Sequence, residues 1–380
     1  MQRAYKNVKV AVFTDLIQVG GGPMGYVHNM IQGLQKINSG NVKVSFLGYD
    51  LTRYPKTHGI IELYRKIQRK IYRFSIVYKK KFCLKQYDIC VFQGWQDSKY
   101  EFIAKAYSKT CVYMPHSPSI MADEHKMLWE LAGVAFDADK YQENYETEKK
   151  LFENADYIVF PSRNAADSYF KEWKYIINSK KIIYLKSGVI KRVSGRDNFL
   201  QKSYKYKKII AFCGRYVTHK GFDLFCEVAD TFRNNKSIVF ICYGDGPLKS
   251  IIQNHNVIDM GFTKDMGSVF ENVSLITIPN KITYYDLLPL ECAAYGKPMV
   301  MSAVGGNIDQ ARDLPDTLTF SSCDIKDFRE KIILALNKLD ENPSWGELNK
   351  TVYEKQFTEV QMMLRWLDLF RKISVENYKE

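Results

Sequence analysis

Short apolar runs alternate with helical patterns along most of this 380-residue chain, and this alternation limits the fold more than any other feature. Each run is apolar enough to be buried on both faces, as the strands of a parallel sheet are. Alternating strands and helices imply a parallel sheet with helices on both faces. In the first half, strands are predicted at Val8–Thr14, Val42–Leu47, Ile89–Gln93, Thr110–Met114 and Tyr157–Pro161.

A polar, turn-rich stretch between Lys186 and Lys208 interrupts this pattern and is the best candidate for a domain boundary. The length of the chain also favours two domains, each large enough to bury its own core. A last amphipathic helix is predicted in FTEVQMMLRWLDLFRKI. The second series of strands is predicted at Ile209–Cys213, Ile238–Tyr243, Val257–Met260, Leu275–Pro279, Pro298–Ser302 and Thr317–Phe320.

Composition excludes several classes of protein. The longest apolar runs are too short to span a membrane, and the N-terminus enters a strand pattern without an apolar signal region, so we expect a cytosolic protein. The eight cysteines and six histidines match no zinc or disulfide spacing, so no metal site is predicted. Six of the cysteines lie in apolar runs and are expected to be buried: Cys90, Cys111, Cys213, Cys226, Cys242 and Cys292.

The net charge of +13 is concentrated in one stretch. Between Arg53 and Lys85 there are eleven Lys or Arg residues and one acid, Glu62, with Ile, Tyr and Phe among them. Such a stretch suits an anionic membrane surface or a polyanionic acceptor, although a solvated helix face would look the same. The predicted contact residues are Arg65, Lys66, Arg69, Lys70, Arg73, Lys79, Lys80 and Lys81.

Between residues 209 and 298, glycine turns and helix starts follow directly after apolar runs. In parallel sheets these are the places where backbone N–H groups and fixed cations meet a phosphate. Arg215 and Lys220 lie in the first turn, and Glu291 lies in the third. Two cations suit a diphosphate, and a carboxylate suits the vicinal hydroxyls of a ribose or sugar. This part of the chain therefore predicts a site for a nucleoside-diphosphate sugar.

The turn Gly20–Gly22 after the first strand would let the backbone approach a ligand closely. It does not complete a dinucleotide fingerprint, because the acidic residue that would bind the ribose, Asp50, comes nine or ten residues late. A dehydrogenase is excluded on this ground. His116 follows the predicted strand Thr110–Met114 and would face the crevice at the end of the sheet.

The second half resembles the nucleotide-binding domain of GT-B glycosyltransferases, in particular the retaining family numbered four. The resemblance is carried by CGRYVTHKGFDLF, YGDGP and TYYDLLPLECAAYGKPMV, in that order after the glycine turn and His116. It implies a GT-B fold, with two Rossmann-like, doubly wound domains that face a central cleft. The implied bounds are 1–187 for the acceptor-side domain, 188–356 for the nucleotide-sugar domain and 357–380 for a helix crossing back to the first domain.

The resemblance also implies roles for individual residues. Arg215 and Lys220 would bind the donor diphosphate and stabilise the charge that grows on the leaving phosphate. Glu291 would hold the ribose, and His116 would face the sugar from the first domain. These four are the predicted catalytic residues. The predicted donor-binding residues are Gly21, Gly22, Gly244, Gly261, Phe262, Thr283, Asp286, Leu287 and Leu288.

One segment departs from the family pattern. The usual first glutamate and the glycine after it are replaced here by Thr283 and Asp286. Asp286 is placed where it would reach the hydroxyls of the sugar. The departure therefore suggests an unusual donor sugar or a different loop position.

Taken together, the motifs predict a retaining glycosyltransferase that uses a UDP- or GDP-sugar as co-substrate, with no metal or other cofactor. Its acceptor would be a glycan or lipid-linked molecule of a bacterial surface polysaccharide or glycolipid, and the enzyme would be cytoplasmic and peripheral on the membrane. Two alternatives stay open: a DNA-modifying glucosyltransferase of the same fold, and a nucleotide-sugar-binding protein without activity. Nucleic acid is the less expected partner, because no groove-reading helix or base-stacking motif is evident.

Overall fold

The computed structural model describes residues 7–20, 22–50, 53, 59–195, 199–205 and 207–376. The chain forms two compact units. Unit 1 comprises Met1–Ser162, Ala166–Gly188 and Glu359–Glu380, and unit 2 comprises Arg163–Ala165 and Val189–Thr358.

Unit 1 is built on a parallel sheet. Its strands are β1 (Val8–Ile17), β2 (Val42–Asp50), β3 (Ile89–Gln93), β4 (Thr110–Met114), β5 (Tyr157–Phe160) and β6 (Lys181–Tyr184). Its first six helices are α1 (Gly22–Gln35), α2 (Gly59–Phe82), α3 (Ser98–Ala106), α4 (Met121–Leu131), α5 (Ala138–Asn154) and α6 (Asp167–Asn178). In the described residues the strands form one sheet in the order β2-β1-β3-β4-β5-β6, with parallel neighbours throughout. Its inner strands β3, β4 and β5 are almost fully buried, and its edge strands β2 and β6 are partly exposed.

Unit 2 repeats this architecture with a different strand order. Its strands are β7 (Lys208–Cys213), β8 (Ile238–Tyr243), β9 (Ile258–Asp259), β10 (Leu275–Ile278), β11 (Met299–Ser302) and β12 (Thr317–Phe320). Its helices are α7 (Phe199–Ser203), α8 (Phe222–Asp230), α9 (Met266–Asn272), α10 (Leu288–Ala293), α11 (Gly306–Asp313), α12 (Ile325–Glu341) and α13 (Glu347–Val352). Over the part of unit 2 that is described, the order is β12-β11-β10-β7-β8-β9, again with parallel pairs.

The last helix, α14 (Glu359–Glu376), packs on the sheet of unit 1. Its Trp366 is buried and donates a hydrogen bond to the hydroxyl of Tyr26 at 2.8 Å. Gly33 of α1 allows the two helices to approach closely, because a Cβ there would collide with the backbone carbonyl of Glu359. The predicted amphipathic helix at the end of the chain is therefore confirmed as part of a core.

The predicted parallel sheets are confirmed, with small differences in the strands. β1 continues three residues beyond its predicted end, and β9 keeps only Ile258–Asp259 of the predicted Val257–Met260. β6 was not predicted, since its short segment KIIY lies beside the polar boundary stretch. All six cysteines that were expected to be buried are buried.

Each sheet has one point where the strand order reverses, and such points are where α/β sheets bind ligands. In unit 2 the point lies between β7 and β10, from which the two series of strands run outward. In unit 1 it lies between β1 and β3. The turns after these strands therefore define the candidate sites.

Candidate functional site

The turn after β7 carries the two predicted phosphate-binding cations. Arg215 follows Gly214 directly after β7, at the carboxyl edge of the sheet and beside the switch point of unit 2. A 3₁₀ turn, Thr218–Lys220, then leads into α8. The Arg215 side chain is exposed, and its Nη2 lies 3.4 Å from Nε2 of His219. Both cations thus lie at the edge where a ligand is expected.

Gly221 permits the close approach of this turn to the end of β10. Its φ of +68° lies in the left-handed region, and a Cβ would collide with the carbonyl oxygen of Pro279. Glycine meets both conditions without strain. Any other residue here would displace the turn that carries Lys220.

Lys220 forms an ion pair with Asp286. Its Nζ lies 2.6 and 2.7 Å from the two carboxylate oxygens, and Nδ2 of Asn280 donates to the same carboxylate at 2.7 Å. Burial acts to raise the pKa of Asp286, but the charge of Lys220 and the hydrogen bonds from Lys220 and Asn280 lower it below its ordinary value. Lys220 therefore contacts an internal carboxylate where the resemblance predicts a donor phosphate.

His219 adds a neutral imidazole to this cluster, although it was not among the predicted site residues. Burial, together with the nearby charges of Arg215 and Lys220, lowers its pKa to about 4, against the opposing effect of the Asp286 charge. Because a guanidinium has donors only, Nε2 is the acceptor toward Arg215 and the proton resides on Nδ1. Nδ1 is buried, with no hydrogen-bond partner among the described residues.

The loop between β10 and α10 carries the other residues of the predicted donor loop. Thr283 is buried, and the backbone carbonyl of Asp286 accepts a hydrogen bond from Nε2 of Gln310 at 2.7 Å. Leu287 and Leu288 open α10, and no side chain caps this helix start. Their N–H groups stay predicted phosphate contacts.

Glu291 on α10 is paired with a residue that was not predicted. Nη2 of Arg192 donates to Oε1 of Glu291 at 2.8 Å, and the hydroxyl of Tyr295 donates to the carbonyl of Arg192. Burial raises the pKa of Glu291, and the nearby charge of Asp286 adds to the rise, whereas Arg192 opposes it. Arg192 lies in the polar stretch that was interpreted as a domain boundary, so nothing in its local pattern distinguished it from a solvated linker residue.

The predicted base pocket follows β8 and β9. The N–H of Gly244 donates to the carbonyl of Gly261 at 3.0 Å, which joins the two turns. Asp259 accepts hydrogen bonds from the Gly261 N–H and the Tyr216 hydroxyl, both at 2.9 Å. Phe262 then projects with 74% of its surface exposed. An aromatic face is therefore open at the edge of the turn, as a base-binding residue requires.

His116 lies in unit 1, directly after β4. Its Nε2 lies 2.5 Å from Oε1 of Gln93, the last residue of β3, and its ring packs against Tyr26 at 5.2 Å. Burial lowers the pKa of His116 to about 3, so the imidazole is neutral at physiological pH. The prediction that His116 lies at the carboxyl edge of the unit 1 sheet is confirmed.

The glycine turn after β1 is only partly described. Gly22 opens α1 with a φ of +71°, and no atom of the described residues lies within 4 Å of the place that a Cβ would occupy. Gly21, the other glycine predicted to bind the donor, lies outside the described residues. In the part of the chain that the structure covers, no group of three or more His, Cys, Asp or Glu is arranged to hold a metal ion.

The predicted basic surface forms most of α2, but it requires one correction. Lys80 is buried. Its Nζ contacts both carboxylate oxygens of Asp97 at 2.6 and 2.7 Å and donates to the carbonyl of Thr14 at 2.9 Å. It cannot contact a membrane or acceptor. Arg69 is half-buried and paired with Glu62, and Arg65 is also half-buried. The exposed cations are Lys66, Lys70, Arg73, Lys79 and Lys81.

The helices of the described residues include none that combines the length and apolar character needed to cross a membrane.

Comparison with known sequences finds a family match within the second unit. Residues 207–338 match the family model of glycosyl transferases group 1. A protein of the Klebsiella pneumoniae cps region is 27% identical over 178 residues, which span 45% of this chain and 44% of that protein. An uncharacterized glycosyltransferase of Methanocaldococcus jannaschii, MJ1607, is 22% identical over 324 residues, or 76% of this chain and 78% of that protein. The chain thus matches less than half the length of the first of these relatives.

Comparison with solved structures covers nearly the whole chain. Anabaena Alr3699/HepE, solved in complex with UDP, matches with a TM-score of 0.67 and 13% identity over 96% of this chain and 100% of that one. WaaG, a glycosyltransferase involved in lipopolysaccharide biosynthesis, matches with a TM-score of 0.62 and 13% identity over 95% and 99%. The chain therefore has the GT-B fold of these solved structures, and residues 207–338 of its second unit match the glycosyl transferases group 1 family.

Proposed function

We propose that this enzyme transfers a sugar from a UDP- or GDP-sugar to a glycan or lipid-linked acceptor. The observation that carries the proposal is the half-buried pair Lys220–Asp286 beside the exposed Arg215, at the switch point of unit 2. Two cations at this edge suit a diphosphate and stabilise the charge that develops on the leaving phosphate. The structure of HepE is that of a UDP complex, which supports testing a uridine donor first.

In this proposal Glu291 accepts hydrogen bonds from the ribose hydroxyls, and Phe262 contacts the base. Arg192 opposes the effect of burial on the pKa of Glu291. It therefore favours the charged carboxylate, which accepts hydrogen bonds better than the acid does. The neutral imidazole of His116 binds a sugar hydroxyl from unit 1 without adding a positive charge.

We propose that transfer retains the configuration at the anomeric carbon. An oxygen of the leaving β-phosphate takes the proton of the acceptor hydroxyl as that hydroxyl attacks the same face of the sugar. The anomeric proton coupling of the transferred sugar in the glycosidic product, measured by NMR and compared with that of the donor, tests this. An inverted product would overturn it.

No metal ion is needed in this proposal, because Arg215 and Lys220 supply the positive charge at the diphosphate. Transfer should therefore continue at the same rate in excess EDTA. A rate that falls in EDTA and returns with Mg²⁺ or Mn²⁺ would refute this part alone.

The test of the donor site is a thermal-shift series with UDP, GDP, ADP and CMP. A ligand present at 100 times its dissociation constant stabilises the folded state by about 2.7 kcal/mol. We expect UDP or GDP to shift the wild type and Lys331→Ala, a matched control on α12, but not Arg215→Ala. Failure of every nucleotide to shift the wild type would refute the donor site.

A second candidate function is binding of a nucleotide sugar without transfer. It is favoured by the ion pair itself, because Asp286 already neutralises one of the two cations. Such a protein would show the thermal shift but would release no nucleotide above background from any nucleotide sugar, with or without acceptors.

For the cellular setting, we propose a cytoplasmic enzyme at the inner face of the membrane that builds a surface polysaccharide or glycolipid. The role of WaaG in lipopolysaccharide biosynthesis and the exposed cations of α2 support this setting. Co-purification of the enzyme with a membrane fraction, and its release by salt or detergent, would test it.

A further inference from the structure

The outer face of α2 is apolar, although it is exposed. Nine large apolar side chains on this helix have 45% to 72% of their surface exposed, and all but Ile61 lie on one side of it. The other eight are spaced three or four residues apart, so they form one continuous face. We name this face the apolar stripe; it consists of Leu63, Tyr64, Ile67, Ile71, Phe74, Val77, Tyr78 and Phe82. A helix of 24 residues is about 36 Å long.

The opposite face of α2 is the one that packs on unit 1. Ile76 and Lys80 are buried there, and the hydroxyl of Tyr72 donates to the carbonyl of Gly48 at 3.3 Å. An ordinary surface helix buries its apolar face and exposes its polar one. In α2 the inward side instead carries a buried lysine, while most of the large apolar groups point away from the unit. The stripe is therefore not explained by packing within unit 1.

Cations lie along one side of the stripe. Lys66, Lys70, Arg73 and Lys81 are exposed, and their helical positions adjoin those of Leu63, Phe74 and Val77. The one acid of α2, Glu62, is occupied by Arg69. If two copies of the chain met through this face, Lys70 and Lys81 would be buried in an apolar contact. The α2 helix of the other copy would offer them no unpaired carboxylate. A bilayer with anionic lipids offers both an apolar interior and phosphates.

We propose that α2 lies in the plane of an anionic lipid bilayer, with the apolar stripe inserted beneath the headgroups. Lys66, Lys70, Arg73 and Lys81 extend their charged ends to the lipid phosphates. Apolar insertion and charge both contribute, so binding persists in part at high salt. This inference rests on the proposed membrane setting and gives it a specific surface.

The experiment is flotation with phosphatidylcholine vesicles, with and without phosphatidylglycerol, at low and high salt. Ile71→Ser/Phe74→Ser should weaken partitioning at least about tenfold, because two large apolar side chains lose their burial. Lys70→Gln/Lys81→Gln should weaken binding only to the phosphatidylglycerol vesicles. Tyr175→Ser, which removes an aromatic that is 93% exposed on α6, is the matched control and should bind as the wild type does.

Several outcomes would overturn the inference. These are a wild type that does not float, a stripe variant that floats as well as Tyr175→Ser, and binding abolished by high salt in every protein. A stripe variant that changes sedimentation from dimer to monomer without changing flotation would assign the face to a second copy. The thermal shift with nucleotide, measured on the same variants, separates these failures from failure of the donor site.

Discussion

Two lysine–aspartate pairs in this protein have nearly the same geometry but different surroundings. In unit 1, Lys80 contacts both oxygens of Asp97 at 2.6 and 2.7 Å, and in unit 2, Lys220 contacts both oxygens of Asp286 at the same two distances. The side chains of the first pair are 6% and 9% exposed, and those of the second are 23% and 22% exposed. Water can therefore reach the second pair far more easily.

The pKa values of the two carboxylates shift in opposite directions, because Asp286 also accepts a hydrogen bond from Asn280, whereas Asp97 lies near the negative charge of Asp15. Burial raises the pKa of Asp97 despite the charge of Lys80, whereas Lys220 and its hydrogen bonds outweigh burial and lower the pKa of Asp286. A pair that is shielded from water holds chain segments together, because separating it would leave each partner as an unpaired buried charge. A half-buried pair that water can reach can exchange its carboxylate for a phosphate at low cost. Contact distance alone does not distinguish the two roles.

The largest effect is expected at Lys80. Lys80→Met leaves Asp97 as an unpaired buried charge, so the free energy of unfolding should fall by about 3–5 kcal/mol in denaturant titrations. Lys79→Met, which removes the neighbouring exposed charge, should change it by no more than about 0.5 kcal/mol. The double variant Lys80→Met/Asp97→Leu should recover much of the loss. Equal denaturation midpoints for the two single variants would show that the Lys80–Asp97 pair is accessible to water.

Lys220 should behave in the opposite way. Lys220→Met should lower kcat/KM for the donor by about 10²–10³-fold, the range found when one group that stabilises a developing anion is removed. Its effect on the free energy of unfolding should be smaller than that of Lys80→Met, because water can solvate Asp286. If Lys220→Met instead unfolds the protein and leaves the rate of the folded fraction unchanged, the pair is structural.

Asp286→Asn should free Lys220 for the donor phosphate. Because an accessible ion pair contributes at most about 1 kcal/mol, the affinity for UDP should rise by up to about fivefold in calorimetry. Weaker binding of the UDP-sugar but not of UDP would mean that Asp286 contacts the sugar directly. Weaker binding of both would contradict the exchange of partners.

The smallest effect concerns pH. Asp286, with a lowered pKa, contributes stability above the unfolded value of about 3.9 that is lost as pH falls through its folded value. Asp97 has a raised pKa, so between its unfolded and folded pKa values it holds a proton only in the folded state. Its contribution to the free energy of unfolding therefore falls as pH rises from the unfolded to the folded value. In unfolding measurements between acid and neutral pH, Asp286→Asn should therefore flatten the rise of stability with pH, and Asp97→Asn should steepen it. Changes of the same sign would contradict the comparison.

The elements that could be predicted from sequence are those set by local pattern. β3, β4, β8 and β12 were predicted with their observed bounds. Continuous apolar runs mark β3, β4 and β8 as buried strands, whereas β12 is the alternating run TLTF at the edge of its sheet. Arg215 and Lys220 were placed at the correct edge, because turns after parallel strands lie together. The ion-pair partners of Glu291 and Lys220 could not be predicted from local pattern, because they lie far apart in sequence. Arg192 and Glu291 are 99 positions apart, and Lys220 and Asp286 are 66 positions apart.

The sequence pattern also could not show which residues of α2 are buried. Lys79, Lys80 and Lys81 are identical in composition and neighbourhood, yet only the middle one of these three points inward to a carboxylate. Similarly, the mixture of cations and aromatics indicated an unusual surface but not which face of the helix would be exposed. Both depend on which side of the helix meets β2, and this is a tertiary property.

The path of the chain between the units has a consequence for biosynthesis. The chain leaves unit 1 after Gly188 and returns to it at Glu359, and at the crossing the N–H of Val189 donates to the carbonyl of Phe357 at 2.9 Å. A ribosome completes all of unit 2 before α14 emerges. Until then the sheet of unit 1 lacks Trp366 and the other core residues of that helix. Unit 2 can therefore fold first on the nascent chain, while unit 1, whose first strand is made earliest, is the last to be completed.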